Sequence, residues 1–491
     1  MNLNKNLKYI LVATLALSTT GCEKYLDTVP DMRSELNSVE KVAELLTSAY
    51  PKAEYITFTE PASDSSEDKG PNEGTEDPTN TDPYMWQEVR DRAQGSTDFY
   101  WNACYTAIAA ANEALSYIDK NMNDPKVHPY RGEALVARAY AHFMLVTLYA
   151  TPYEINGANS APGVPYVTAP ETVVFEKYNR GTVKAVYEQI EKDLEEGLPL
   201  IKNTAYKVQK YHFNIAAANA FATRFYLFKG DYNKVIKHAG NVFTGEIVET
   251  SLRPWSTEYF SLTPQDLRAR FTQTTEKSNL LLIETVSWWA RRGSPRFGFG
   301  QKLADELFNR SNATGRVWAH KLYSFGGAPH YTMAKWKEHF SLTSVNSTSG
   351  IGYTILPAFT TDEALLNRAE AYVNLQNTEL ALKDLNSFIS TRIVNFNPTT
   401  DALTLDKLKG YYRSTDEKEV LIKGILDFKK MEFITEGMRW FDVLRHKMTV
   451  KHNILDINGK EKIVELAPGD PRRLFQLPKE VVLSGVAQNP R

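Results

Sequence analysis

The sequence predicts a mainly α-helical protein with one long loop-rich insertion, and three observations carry that expectation. Three separate segments align with one another without gaps. The stretches 40–50, 99–120, 182–198 and 427–446 place apolar residues at helical spacing. Residues 246–358 lack that period and hold five of the eight tryptophans, Trp255, Trp288, Trp289, Trp318 and Trp336.

Glu133-Ala134-Leu135-Val136-Ala137-Arg138-Ala139-Tyr140-Ala141 matches Glu363-Ala364-Leu365-Leu366-Asn367-Arg368-Ala369-Glu370-Ala371, and each continues to a leucine, Leu145 or Leu375. A third segment starts at Arg224 and runs through Val235, Ala239 and Val242. Its Lys229-Gly230-Asp231 turn falls where Gln376-Asn377-Thr378 falls in its counterpart. Each copy reads as a helix, a tight turn and a second helix, near 133–150, 214–243 and 363–390. Small residues such as Ala139, Ala371 and Ala381 let two antiparallel helices approach closely, and the pattern resembles the tetratricopeptide repeat. The plainer alternative is that Ala-rich amphipathic helices look alike by period alone; the coincidence of the turns favours a repeat. The predicted fold class is therefore mainly α, a tetratricopeptide-like helical scaffold with long irregular loops forming a binding subregion.

The amino terminus reads as an address. Lys5 and Lys8 precede the apolar run 9–17, and small residues Ser18-Thr19-Thr20-Gly21 lead to Cys22. That layout is a signal peptide over 1–21, with the mature domain over 22–491. The run is far short of the roughly 20 residues a membrane-spanning helix needs. Gly21-Cys22 resembles the end of a bacterial lipobox, with Thr19 where leucine is usual, which makes Cys22 the lipidation site. Glu23 follows, as is common in surface-exported lipoproteins.

Composition excludes several classes. Lys plus Arg is 57 and Asp plus Glu is 59, a formal charge of -2, so there is no basic excess to hold phosphates and no nucleic-acid partner is expected. Apart from Cys22 the only cysteine is Cys104, in an Ala-rich run, which reads as a small buried apolar residue. The stretch 60–82 is rich in Asp, Glu, Ser, Pro, Gly and Asn and reads as a long exposed loop. Its carboxylates lack calcium-loop spacing, and the histidines form no metal pair, so neither metal nor cofactor is expected. Signatures of common hydrolases, nucleotide-binding loops and zinc sites are absent. Glu432 and Glu436 lie four apart on a predicted helix and imitate a glycosidase acid pair. Lys429, Lys430, Arg439 and Arg445 stand beside them, so ion pairing is the better reading, and no catalytic residue is assigned.

Residues 431–445, with Glu432, Glu436, Gly437, Arg439, Trp440, Asp442 and Arg445, resemble the signature ExxxEGxRWxDxxR of the SusD/RagB family. Tyr25-Leu26-Asp27-Thr28-Val29-Pro30, Gly163-Val164-Pro165, Leu477-Pro478 and Gln488-Asn489-Pro490 agree with it, so the resemblance spans essentially the whole chain. It implies a non-enzymatic lipoprotein of the outer membrane, exposed at the cell surface. Such a protein sits as a lid on a SusC-type TonB-dependent transporter and captures oligosaccharide, or sometimes peptide. Two other classes compete with that reading: a repeat-based periplasmic adaptor, and a lipid-anchored glycoside hydrolase.

Trp440, on the signature helix, is expected to be buried. For the ligand platform the expectation rests on Trp288 and Trp289, adjacent indoles before the turn-rich 290–295, together with Arg292. If that segment is extended, one ring faces the core and the other solvent. Tyr84 and Trp86, after the acidic stretch, are added because SusD-like proteins take ligand contacts from the loops before and between the repeats.

Overall fold

Side-chain caps mark where the helices begin. Ser96, Thr182, Asn214, Asp231, Thr360, Asn377 and Asp416 each accept a hydrogen bond from a backbone N–H in the following turn. A computed structural model describes residues 36–173, 176–244, 247–292, 294–324 and 326–490. Its helices of seven or more residues are α1 (Val39–Leu46), α2 (Ile56–Ala62), α3 (Pro78–Tyr84), α4 (Thr97–Lys120), α5 (His128–Tyr149), α6 (Val183–Gly197), α7 (Ile215–Lys229), α8 (Tyr232–Val242), α9 (Pro264–Phe271), α10 (Gln301–Leu307), α11 (Thr361–Asn374), α12 (Thr378–Ser390), α13 (Leu405–Tyr412), α14 (Glu417–Glu432) and α15 (Arg439–Arg445). Strands of five or more residues are β1 (Asn279–Val286), β2 (Glu338–Leu342), β3 (Gly350–Thr360), β4 (Val450–Leu455) and β5 (Glu461–Leu466).

The scaffold is mainly helical and tetratricopeptide-like. α4 packs on α5, α5 on α6, α7 on α8 and α11 on α12, and the α7–α8 pair meets the α11–α12 pair through α8 and α11. Ala139, Ala371 and Ala381 are fully buried at these contacts, as their size predicts. Between α5 and α6 the approach is close, since a Cβ on Gly132 would lie 2.8 Å from the Gly197 carbonyl oxygen. The first copy departs from expectation: no tight turn follows α5, and residues 150–173 and 176–182 run irregularly before α6. Arg180 holds that stretch to the carboxy terminus, donating from Nε to the Gly163 carbonyl at 2.7 Å and from Nη2 to Asn489 Oδ1 at 2.8 Å.

A three-stranded antiparallel sheet in the order β1-β3-β2 interrupts the helices, and β3 leads directly into α11 at the cap Thr360. The main apolar core spreads over α4 to α7 and the inner face of this sheet; a second lies among α10 to α14. Cys104 is buried in the first.

Two expectations are corrected by the tertiary structure. The predicted helix over 427–446 is two helices, because α14 ends at Glu432 and the chain turns through Thr435 (φ 68°) and Gly437 (φ 71°) before α15. A Cβ on Gly437 would sit 2.4 Å from Thr59 Oγ1, so α2 presses directly on the turn. The acidic stretch is the second correction. Residues 60–70 are buried, apart from half-buried Asp64, because each acid finds a specific donor. Glu60 accepts from the Thr435 and Gly437 N–H groups, both at 2.7 Å. Asp64 accepts from Arg439 at 2.7 and 3.0 Å, Asp68 from Arg296 at 2.7 and 2.8 Å, and Glu67 from the N–H groups of Lys302 and Leu303 that open α10. Asp82 is likewise buried against Arg90. Only the outer part of the stretch, near 71–78, meets solvent.

The signature residues anchor the α14–α15 unit to its surroundings. Glu432 is joined by Arg392 at 3.0 Å, by His320 at 3.4 Å and by the Trp255 indole N–H at 3.2 Å. Burial works to raise its carboxyl, but Arg392 and His320 outweigh that and hold it well below the usual range. Arg392 also pairs with Asp362, and all three residues are essentially solvent-free. Glu432 and Glu436 thus face different cations instead of sharing one face. Trp440 is buried, as expected.

Replacing Arg392 with methionine keeps the volume but leaves Asp362 and Glu432 uncompensated, and urea unfolding is expected to show a loss of roughly 3–5 kcal/mol. A loss under about 1 kcal/mol would show that the pair is not needed.

Glu60 supplies a pH test. Burial pushes its carboxyl up to about 8, against the pull of the Thr435 and Gly437 N–H groups. A native value raised above 4.5 means that the folded protein holds the proton more tightly than the unfolded chain, so this group's contribution is largest below about pH 4.5. It declines as pH rises to about 8. Stability of Glu60→Gln relative to wild type is therefore expected to improve across that window. The comparison cancels the buried His142, His238 and His320, whose lowered values act in the opposite sense. A pH-independent difference between the two proteins would refute this account.

Candidate functional site

Two buried ionic groups position the rings of one cleft. The first is Lys335, fully buried, whose ammonium donates to the carbonyls of Glu432 (2.7 Å) and Ile434 (2.9 Å) and to Glu436 Oε1 (2.6 Å). These are carbonyls that the broken helix leaves without partners, so the lysine acts as a carboxy-terminal cap. Its neighbour Trp336 is thereby pinned to the break, its indole N–H donating to the Thr435 carbonyl at 3.3 Å.

The second group is Glu54. Its Oε1 accepts from the backbone N–H groups of both Trp288, at 2.9 Å, and Trp289. Burial pushes this carboxyl up to about 7, against those donors. Oε2 has no hydrogen-bond partner among the described residues. The chain is fixed where the adjacent indoles diverge. Trp288 turns inward, donating from its indole to Thr79 Oγ1 at 3.0 Å and lying over Gly95. Trp289 turns toward the cleft.

The cleft has a volume of about 620 Å³ and is walled by Trp289, Trp336, Tyr331 and Phe299, with Lys69, Asp266 and Thr435 among its polar members. α9 forms one side, through Asp266 and Ala269, and the start of β2, through Glu338, forms another. Half-buried rings beside a few hydrogen-bonding groups suit a ligand with apolar faces and polar edges. A second cleft of about 660 Å³, among α4, α5 and α6, carries no ring; Arg138, Asp193 and Lys192 are typical of its lining.

The platform residues expected from the sequence separate. Trp289 lines the cleft and Trp288 does not; both rings are half-buried, and Trp289 opens a short helical turn over Trp289–Arg292, so the alternation of an extended segment does not apply here. Tyr84 and Trp86 are a correction: both are buried, stacked on His452 with ring centroids 4.0 and 4.4 Å away. Their polar atoms are also occupied, Tyr84 donating to the Asn453 carbonyl and Trp86 to that of Ala62. The reason is the hairpin β4–β5, distant in sequence, which covers them. The Arg292 side chain and Cys22 lie outside the described residues. Trp336, Tyr331 and Lys69 were not singled out as ligand contacts. Their only hints were the ring-rich stretch itself and a lysine, Lys335, set among Met333, Ala334 and Trp336.

Among the described residues no group of three or more His, Cys, Asp or Glu side chains is placed to hold a metal ion, and no helix is long and apolar enough to cross a membrane.

Comparison with known proteins bears on this geometry. The family described as starch-binding and associating with outer membrane matches residues 24–227, and that described as the SusD family matches residues 308–473. No curated protein matches the chain. Among solved structures, a SusD superfamily protein from Bacteroides vulgatus is 19% identical, with 92% of this chain and 97% of that one covered and a TM-score of 0.67. A SusD-like carbohydrate binding protein from the same species is 14% identical over 91% and 96%, with a TM-score of 0.65. A SusD superfamily protein from Bacteroides thetaiotaomicron is 18% identical over 93% and 100%, also at 0.65. At such identities the structures speak for the fold, while the two family matches together take in more than half of the sequence, including the signature segment: the chain belongs to the SusD/RagB family.

Proposed function

We propose that this protein is a cell-surface lipoprotein that binds oligosaccharide in the Trp289–Trp336 cleft and delivers it to a SusC-type TonB-dependent transporter of the outer membrane. The observation that carries the binding step is the pair of indoles, on backbone held by Glu54 and Lys335, with Tyr331, held by Gln301, on the wall of one open cleft. Sugar rings present C–H faces that stack on aromatic rings, and their hydroxyls need directional partners, which the intervening polar residues offer. Rings immobilised before binding lose little side-chain entropy when a ligand arrives. The ring-free second cleft offers no such stacking surface. Membership of a family described as starch-binding and associating with outer membrane supports the same reading. Delivery to the barrel and anchoring through Cys22 rest on the family resemblance and on the lipobox-like Gly21-Cys22.

Affinity electrophoresis through gels containing different polysaccharides tests the cleft. Trp289→Ala and Trp336→Ala are each expected to weaken binding about tenfold or more, roughly 1.4 kcal/mol. Tyr84→Ala and Trp86→Ala should instead lower the melting temperature, as loss of buried rings does. Folded Trp289 and Trp336 variants with wild-type affinity would place the ligand elsewhere.

Anchoring is tested by fractionation. Cys22→Ala, expressed with its signal segment, should move from the membrane fraction to the soluble one, and mass analysis of the wild-type amino terminus should find acyl chains on residue 22. A Cys22→Ala protein that stays wholly with membranes would mean that another group anchors it.

A further inference from the structure

We propose that the oligosaccharide taken by this cleft carries an anionic substituent, a carboxylate or a sulfate ester, which docks on the ammonium of Lys69; the proposal rests on the oligosaccharide reading above. Lys69 is only 8% exposed, yet it lines the cleft together with Ser294. Its Nζ donates to Ser294 Oγ at 2.9 Å. That hydroxyl lies 2.6 Å from His330 Nδ1, and His330 Nε2 lies 3.0 Å from Glu73 Oε2. With Ser294 accepting from the lysine, its own proton goes to Nδ1, and the Nε2 proton faces Glu73. The group that meets the ammonium is thus a neutral hydroxyl.

An ammonium has three protons to donate, and among the described residues this one has a single acceptor. No carboxylate among the described residues forms an ion pair with it. Glu67, two residues away, is engaged with the N–H groups of Lys302 and Leu303, and Glu73 sits at the far end of the Ser294–His330 relay. The result is a buried ammonium in direct contact with a neutral hydroxyl and with no carboxylate among the described residues: burial pushes it down to about 8, against the longer-range attraction of Glu67 and Glu73.

The other charges on the wall favour the same ligand. Its two acids are occupied, Glu338 by Arg291 at 3.1 Å and Asp266 by the Thr263 hydroxyl at 2.7 Å, whereas the exposed Lys337 beside Trp336 has no ion pair among the described residues. A neutral sugar hydroxyl at Lys69 would supply one ordinary acceptor. A carboxylate or sulfate supplies a full counter-charge in a partly desolvated place, where charge-assisted hydrogen bonds are strongest. Lys69 is therefore assigned as the residue that selects acidic over neutral glycans, while the rings hold the sugar faces.

The test uses the whole folded chain and named polymers: polygalacturonate, alginate, chondroitin sulfate and heparin against starch, dextran and laminarin. We expect retention by at least one acidic polymer, and about tenfold weaker retention by its carboxyl-reduced or desulfated form. Which of the two treatments abolishes binding identifies the anion. Lys69→Met should reproduce that loss and Lys69→Arg should restore most of the affinity, while exposed Lys337→Ala has a smaller effect. Should Lys69→Met fail to fold, the comparison of native and neutralised polymer on the wild-type protein still decides. Preference for a neutral polymer, or equal binding of an acidic polymer and its neutralised form, overturns the anion assignment and leaves the oligosaccharide reading standing. Retention by none of the polymers removes that reading, and this assignment with it.

Discussion

One carboxylate, Glu60, reaches a turn 375 residues away in sequence and holds its two exposed N–H groups, and much of the structure follows from that contact. The turn puts Thr435, a β-branched residue, at positive φ, a conformation that costs on the order of 1–3 kcal/mol unless its surroundings impose it. Glu60 imposes it from one side and Thr59 closes on Gly437 from the other. Because the helix breaks there, Glu432 and Glu436 diverge toward Arg392 and Lys335, and the carbonyls left open at the end of α14 become the seat of the Lys335 ammonium. Trp336 follows Lys335 into the cleft. The signature segment is thus a structural node, and of its residues Thr435 also reaches the cleft wall.

Around Glu60, which backbone N–H groups hold, the node's other acids are set against cations. Glu370 shows the balance: burial would raise its carboxyl, but Arg445 and His446 hold it well below the usual range. Removing charges from water is costly, and mutual attraction offsets the cost only where hydrogen bonds are also satisfied. Strongly shifted carboxyls often mark catalytic centres. Here the shifted Glu432, Glu370 and Glu60 are solvent-free, and each is committed to a structural donor, so their shifts record packing. Lys69 differs in that it is buried, charged and incompletely matched, and it faces an open cleft.

Loops carry the rings of the site, yet the rings are as well supported as a core. Glu54 fixes the backbone of Trp288 and Trp289, and Lys335 and the Thr435 carbonyl fix Trp336. The polar groups doing this work lie beneath the cleft surface, where solvent competes least with their hydrogen bonds. A scaffold of paired helices with the proposed binding residues on supported loops separates the requirement for stability from that for recognition.

Period and small-residue spacing were sufficient, without coordinates, to indicate paired helices and the Ala139, Ala371 and Ala381 contacts, because these depend on residues three or four apart. The ordered motifs were likewise enough to indicate the family. What local pattern cannot contain is the partner of a charge. The acidic stretch from Glu60 read as solvated because its composition is that of a loop, and only the folded chain brings it Arg439, Arg296 and the N–H groups of residues 435 and 437. Tyr84 and Trp86 became core residues for the same reason, since the hairpin that covers them lies some 370 positions later in the chain. Helical period and residue size are properties of neighbours in sequence and were determined there; burial of charge and exposure of rings depend on contacts between distant segments, which tertiary structure alone decides.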